Sequence, residues 1–395
     1  MRQLLGKLIL MGVNIGYKQL NKRVIFKFPA QRAHEQSINV IRFLEKYSLA
    51  VWFASFLHSL VFVDNPTEVG GVKLSHPLIL AAGFVKGNGF VDETEALAAV
   101  YQHKQNIIPG WRIIPSLVGP VEFGSFTRHP RLGNTGTVVW RNVNSQSTQN
   151  RIGLKNPGAM AASKFLGGNK ALLPQEFGIN IAISPGVTDI NQQQSELLEA
   201  LGFFIDEGVI PTWFTLNISC PNTEDDPHGN QLETETKQLC TSFINHLKLH
   251  NLDIPLWVKI SPDLARGQYH MLIRIFAEVG VKAIVATNTL AQPTPDDPNI
   301  QAGVGGGELF EEAIMAVTHL QLEKIRMNYD IDIVGCGGIV NGLTYRDYRT
   351  LGIQAVQYWS AMVYRGPLAA AIIESELPNY DVEFEAIYSE SLTQH

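Results

Sequence analysis

WFTLNISC at 213–220, ETKQLCTSFINHLKL at 235–249 and PLWVKISP at 255–262 give a β-rich run, a stretch with helical apolar spacing, and a second β-rich run. A third run, AIVATNTL at 283–290, follows after another helix-length interval. Short runs rich in Val, Ile and aromatics, separated by amphipathic segments, read as parallel strands joined by crossover helices. The series extends both ways. Upstream lie PLILAAG (77–83), VEFGSFT (121–127) and FGINIAIS (177–184); downstream lie IDIVGCGGI (331–339) and AVQYWSAM (355–362). Residues 101–120, ahead of the second run, show no clean period. Eight such units in about 300 residues predict a closed (β/α)8 TIM barrel, with a doubly wound open sheet as the alternative. No G-x-G-x-x-G opens the first unit, which disfavours a dinucleotide-binding Rossmann domain.

Nearly every run ends in a residue with chemistry to offer. These are Lys86, Ser125 with Thr127, Asn180, Asn217 with Cys220, Lys259, Thr287 with Asn288, Gly337 with Gly338, and Tyr358 with Ser360. One Asn or Ser at a strand end reads as a turn former or helix cap. Eight in succession, in a fold whose strand C-termini meet at one mouth, read as a site. Amides and hydroxyls dominate it. Asn150, Asn217, Asn222 and Asn288 each offer a donor and an acceptor, which suits a small flat heterocycle with alternating carbonyl and N–H edges.

Other chemistries lack their residues. There is no G-x-S-x-G elbow, H-E-x-x-H zinc helix or Walker loop. Cysteines at 220, 240 and 336 have no C-x-x-C partner and no zinc spacing, so neither a metal nor a disulfide framework is expected. With few acid–base groups of its own, such a mouth calls for a borrowed redox cofactor. The glycines of GCGG (335–338), continuing to Asn341-Gly342 at a helix start, suggest a phosphate cradle. Lys259 could place a cation beside a flavin's N1/O2 edge, so FMN fits better than a nicotinamide. Cys240 and Cys336 read as buried apolar residues. Cys220, before Pro221 at the mouth, can serve as a general base.

Hydrophobic residues make up 45% of the 395 and charged ones 17%, which fits a globular chain with a large core. Of 31 Lys and Arg, seven lie in residues 1–34 with no acid among them, leaving 24 against all 37 acidic residues. So acidic a body argues against nucleic acid, while the basic head could meet an anionic surface. MRQLLGKLILMGV (1–13), QRAHEQSINVIRFLEKY (31–47) and LAVWFASFLHSLVFV (49–63) read as two or three amphipathic helices, none long enough to span a bilayer. They either pack on the barrel or form a monotopic membrane anchor, and the charge asymmetry favours the anchor. The expected organisation is a helical extension at 1–64 and a barrel at 65–395.

The motifs AAGFVKG (81–87), FGSFT (123–127), NRIGLKN (150–156), GINI (178–181), LNISCPNT (216–223), VKISPDL (258–264), ATNTL (286–290), VGCGGI (334–339) and VQYWSAMVYRGP (356–367) stand in order. With them the chain resembles the dihydroorotate dehydrogenase family over roughly residues 27–377. The resemblance implies an FMN barrel oxidising dihydroorotate to orotate in pyrimidine biosynthesis. It implies orotate contacts from Lys86, Asn150, Asn217, Asn222, Asn288 and Thr289. It implies FMN contacts from Ala82, Gly83, Lys86, Ser125, Asn180, Lys259, Thr287, Gly306, Gly338, Tyr358 and Ser360. Cys220 falls at the catalytic base.

The extension resembles the membrane-associated, quinone-using branch, although cysteine as base is typical of the soluble branch. The implied location is therefore peripheral on an intracellular membrane, at the cytoplasmic face in a bacterium. Val85, Leu154, Glu224–Asp226, Gly305 and Trp359-Ser360 depart from the family pattern. They keep open another dihydropyrimidine substrate, a soluble acceptor, or a non-catalytic membrane-associated relative.

Overall fold

The computed structural model describes residues 2–218 and 233–377. All eight anticipated runs form one closed barrel: β1 (Leu78–Leu80), β2 (Val121–Phe126), β3 (Phe177–Ala182), β4 (Trp213–Asn217), β5 (Leu256–Ile260), β6 (Ala283–Ala286), β7 (Asp332–Cys336) and β8 (Ala355–Tyr358). Neighbours follow chain order, and β8 closes the ring by pairing in parallel with β1, Val356 beside Leu78 and Tyr358 beside Leu80. This closure excludes the open sheet.

Side chains alternate between the two faces of each strand. Outward residues such as Leu78, Leu80, Ile179, Phe214 and Val258 join the crossover helices in one large apolar layer. Inward residues form a separate interior cluster that includes Ile79, Trp213, Trp257, Val285 and Val334. The Trp213 and Trp257 rings stack at 4.7 Å and fill the floor. A Cβ on Gly178 would fall 2.2 Å from the Trp213 ring, so only glycine fits there.

A hairpin, Thr67–Val69 with Val72–Leu74, plugs the end of the barrel where the strands begin. Its Gly70-Gly71 turn has φ of +56° and +75°, as a tight two-residue hairpin requires. The Trp257 Nε1 donates to the Gly70 carbonyl at 3.0 Å, and the Gly70 N–H donates to Asp332 Oδ2 at 2.7 Å. The hairpin and the stacked indoles close this end. Chemistry is left to the other end.

Over that other end lies a four-stranded antiparallel sheet that sequence periodicity did not reveal. It is made of Leu290–Pro293, Gln301–Gly306, Ser147–Asn150 and Val139–Asn142, in that order. Its strands, such as STQN and QAGVGG, carry almost no apolar alternation, so nothing in them announced strands.

The extension forms three helices: α1 (Arg2–Arg23), α2 (Ala30–Leu44) and α3 (Ser48–Val61). Leu10 of α1 and Val61 of α3 pack with Leu368, Ala371 and Ile372 near the described C-terminal end. Gly6 lets α1 approach α3 closely, since a Cβ there would fall 2.4 Å from the Leu60 carbonyl oxygen. The α1–α2 link is stitched to the covering sheet. Arg141 donates to the Phe28 carbonyl at 2.6 Å, and the Val138 N–H donates to Gln31 Oε1 at 3.0 Å. Each helix also leaves an apolar stripe exposed at three- and four-residue spacing: Leu5, Leu8, Met11 and Ile15; Val40, Phe43 and Leu44; Leu49, Trp52, Phe53 and Phe56. Among the described residues, no helix is long and apolar enough to cross a membrane.

Candidate active site

A cavity opens between the strand C-termini and the covering sheet, enclosing with its mouth about 1200 Å³ of empty space. Every described residue that the resemblance implied as an orotate or FMN contact lines it, whereas Thr127, also at a strand end, is buried outside the lining and donates to the His129 carbonyl at 2.6 Å. From the first and second strand ends come Ala82, Gly83, Lys86 and Ser125; from the third to sixth, Asn180, Asn217, Lys259, Thr287, Asn288 and Thr289. Gly338, Tyr358 and Ser360 complete the ring, and Asn150 and Gly306 descend from the covering sheet. Cys220 and Asn222 lie outside the described residues.

The side chains are held by one another. Asn217 donates to Ser125 Oγ at 3.3 Å, and Thr148 Oγ1 and Ser360 Oγ share a hydrogen bond of 2.7 Å. Asn288 turns its Oδ1 back to accept from the Thr289 N–H at 2.8 Å. Backbone bonds from the Gly83 N–H to the Gly124 carbonyl (2.7 Å) and from the Ala81 N–H to the Tyr358 carbonyl (3.0 Å) fix the first strand's exit. Gln357 points inward and Tyr358 sits in the outer apolar layer, so Tyr358 reaches the cavity by its backbone.

The lining carries cations without carboxylates. Lys86 and Lys259 border the cavity, and among the described lining residues there is no Asp or Glu. The two lysines of the lining attract an anionic ligand. His34, brought by α2, is held down at about 4, first by burial and then by Lys86 and Lys155, so it is a neutral imidazole at pH 7. Trp359 stands 6.1 Å from Phe84 and 6.4 Å from His34, ring centre to ring centre, and makes an aromatic wall on the side facing α2.

Three glycines of the lining stand where packing and backbone conformation admit no side chain. Gly306 has φ of +90°, and a Cβ there would meet the Gln146 carbonyl oxygen at 2.5 Å. Gly337 and Gly338 have φ of +138° and +71°, and a Cβ on Gly338 would strike Phe310. The expected continuation of the cradle to Asn341-Gly342 is corrected. Asn341 Oδ1 caps its own helix, accepting from the Leu343 and Thr344 N–H groups at 2.9 and 3.0 Å, and those donors are spent.

Beneath the cavity lies a buried polar network that sequence reasoning missed. Glu122, fully buried on β2, accepts four hydrogen bonds. Asn180 Nδ2 donates to Oε1 at 2.7 Å; Trp213 Nε1, Thr215 Oγ1 and Gln357 Nε2 donate to Oε2 at 3.1, 2.6 and 3.0 Å. Gln357 Oε1 in turn accepts from Lys259 Nζ at 3.1 Å, and Lys259 Nζ also lies 3.4 Å from Cys336 Sγ. A lone Glu inside an otherwise apolar strand run was the one available signal.

A family model described as dihydroorotate dehydrogenase matches residues 66–380. The chain is 28% identical to a dihydroorotate dehydrogenase (quinone) of Neisseria gonorrhoeae, over 88% of this chain and 96% of the relative. A protein of the same description from Halorhodospira halophila is 27% identical, over 88% and 94%. The crystal structure of Eimeria tenella DHODH in complex with ferulenol superposes with a TM-score of 0.64 at 20% identity, covering 84% of this chain and 90% of that one.

Proposed function

This chain belongs to the dihydroorotate dehydrogenase family, and from that premise we infer its reaction: it oxidises dihydroorotate to orotate in pyrimidine biosynthesis and passes the electrons through FMN to a quinone. The observation that carries the reading is one cavity joining two cations, a ring of amides and three bare glycines, with no described carboxylate in the lining. Those residues fit FMN. Gly306, Gly337 and Gly338 border the cavity with bare backbone, against which a phosphate can lie, and Lys259 supplies positive charge for an electron-rich ring edge. The buried Asn180 Oδ1 has no partner among the described residues and offers an acceptor to a ring N–H. Bound there, FMN supplies the two-electron acceptor for the hydride leaving C6 of the substrate.

The chain's own groups do the rest. Lys86 attracts the substrate carboxylate, and Asn150, Asn217, Asn222 and Asn288, with Thr289, hold the ring by its carbonyl and N–H edges. Holding reactants in near-attack geometry is worth several kcal/mol of barrier, on the order of 7–11 at best. Cys220 takes the C5 proton. Residues 1–64 serve as a docking extension and 65–395 as the catalytic barrel. The exposed stripes on α1, α2 and α3, above a basic first segment, support a peripheral seat on a membrane surface, the cytoplasmic one in a bacterium. That seat would admit a lipid-soluble quinone beside the Trp359 wall.

Anaerobic addition of dihydroorotate to the FMN-loaded protein should bleach the oxidised flavin spectrum. An unchanged spectrum, with bleaching by a different dihydropyrimidine, would overturn the substrate assignment.

A further inference from the structure

We propose that Glu122 sets the polarity of the two amides above it. It turns Asn180 Oδ1 into the cavity as the acceptor for the one ring N–H of an oxidised isoalloxazine, and it turns Gln357 Oε1 toward the Lys259 ammonium. The proposal rests on the FMN reading and deepens it, because it says which edge of the ring is recognised and by what.

An Asn or Gln side chain can present either its oxygen or its NH2 to a ligand, and the surrounding network decides which. Here the deciding partner is a carboxylate, which only accepts. The Asn180 amide lies against Glu122 Oε1 at 2.7 Å and the Gln357 amide against Oε2 at 3.0 Å. Reversing either would press a carbonyl oxygen onto a carboxylate oxygen in a site fully closed to water. Both NH2 groups are therefore committed downward. Asn180 Oδ1 is left buried and without a partner among the described residues, and Gln357 Oε1 receives Lys259 Nζ at 3.1 Å. Trp213 and Thr215 also donate to Glu122 and hold the carboxylate still from β4.

Glu122 touches neither cofactor nor substrate in this scheme. It is a positioning residue, and its effect is selection: the Asn180 position accepts a donor and rejects an acceptor. A buried acceptor facing another acceptor forfeits a hydrogen bond and its desolvation, about ten- to hundredfold in affinity.

The test is a fluorescence titration of the full-length chain, stripped of flavin, with FMN and with FMN methylated at N3, which keeps both carbonyls and loses the N–H. Wild type should favour FMN by about tenfold or more. In Glu122→Gln the single remaining acceptor faces four donors, so Asn180 is free to reverse. FMN should bind about ten- to hundredfold more weakly and the preference for the N–H form should shrink. Adding Asn180→Asp restores an acceptor that cannot reverse. Glu122→Gln/Asn180→Asp should therefore recover most of the affinity and the preference, whereas Asn180→Asp alone, beside an intact Glu122, should not. Thermal melts of the flavin-free variants identify the folded ones, and equal binding of the two flavins by wild type overturns the proposal even if a single variant fails to fold. A wild type that takes up no FMN removes both readings. A wild type that binds FMN and its N3-methyl form equally, or a folded double variant no better than Glu122→Gln, removes this one alone.

Discussion

Cys220→Ala deletes the one group assigned to the C5 proton and leaves Lys86, Lys259 and the glycines of the cavity in place. We expect the variant to keep its FMN and to lose flavin reduction by dihydroorotate by about 10²–10⁴-fold, the usual contribution of a general base. Anaerobic stopped-flow absorbance measures this directly, and an unaltered reduction rate would place the base elsewhere. At this scale the sequence was informative wherever a strand tip met the mouth, because the tip of a parallel strand in a barrel has only one place to go. Lys86, Asn180, Asn217, Lys259 and Asn288 were legible for that reason. Gln357, one residue before a flagged tip, was passed over because inward and outward positions cannot be told apart until the register is known. Thr148 and His34 were invisible for another reason: each reaches the cavity from an element outside the barrel repeat.

Among the elements, α2 carries a titratable anchor. Glu45, at its C-terminal end, accepts from the Gly110 N–H at 2.9 and 3.0 Å and from Asn106. Burial raises its carboxyl from 4.5 to about 7 and outweighs those hydrogen bonds and the nearby Arg42 charge. The folded protein therefore holds a proton that the unfolded chain releases near 4.5. Its contribution is complete below that value and fades as pH climbs through about 7, by up to roughly 3 kcal/mol. Melting temperature should accordingly fall between pH 5 and pH 8, and Glu45→Gln should flatten that fall. A variant with the wild-type slope would assign the dependence to other groups.

The same elements show where periodicity stops being a guide. The eight strands were legible because each is buried on both faces and apolar almost throughout. The covering sheet was not, because its strands lie at the mouth and pair edge to edge through polar, glycine-rich segments whose partners are distant in sequence, Ser147–Asn150 with Gln301–Gly306. The plugging hairpin was missed too, although Gly70-Gly71 flanked by Val69 and Val72 is a hairpin turn by its own chemistry.

For the whole molecule, the division between a greasy, basic extension and an acidic body was written in composition, and the three helices follow it. What composition could not say is which apolar residues face outward, since α3 buries Val51, Ala54 and Val61 on one side while exposing Leu49, Trp52, Phe53 and Phe56 on the other. Trp52→Glu/Phe56→Glu changes only that outer side. We expect it to reduce co-sedimentation with anionic liposomes and to slow turnover with a long-tailed quinone severalfold, while reduction of FMN by dihydroorotate keeps its rate. Parallel losses in both half-reactions would mean that the stripe serves folding.

The ring closes between β1 and β8, whose paired residues Leu78 and Val356 stand far apart in the chain. Helix α1 likewise rests on Leu368, Ala371 and Ile372. A ribosome makes the first partner of each pair long before the second. Throughout that interval the nascent N-terminal helix has no barrel to lie on and keeps its greasy side uncovered, so a lipid surface or a chaperone has the first opportunity to receive it.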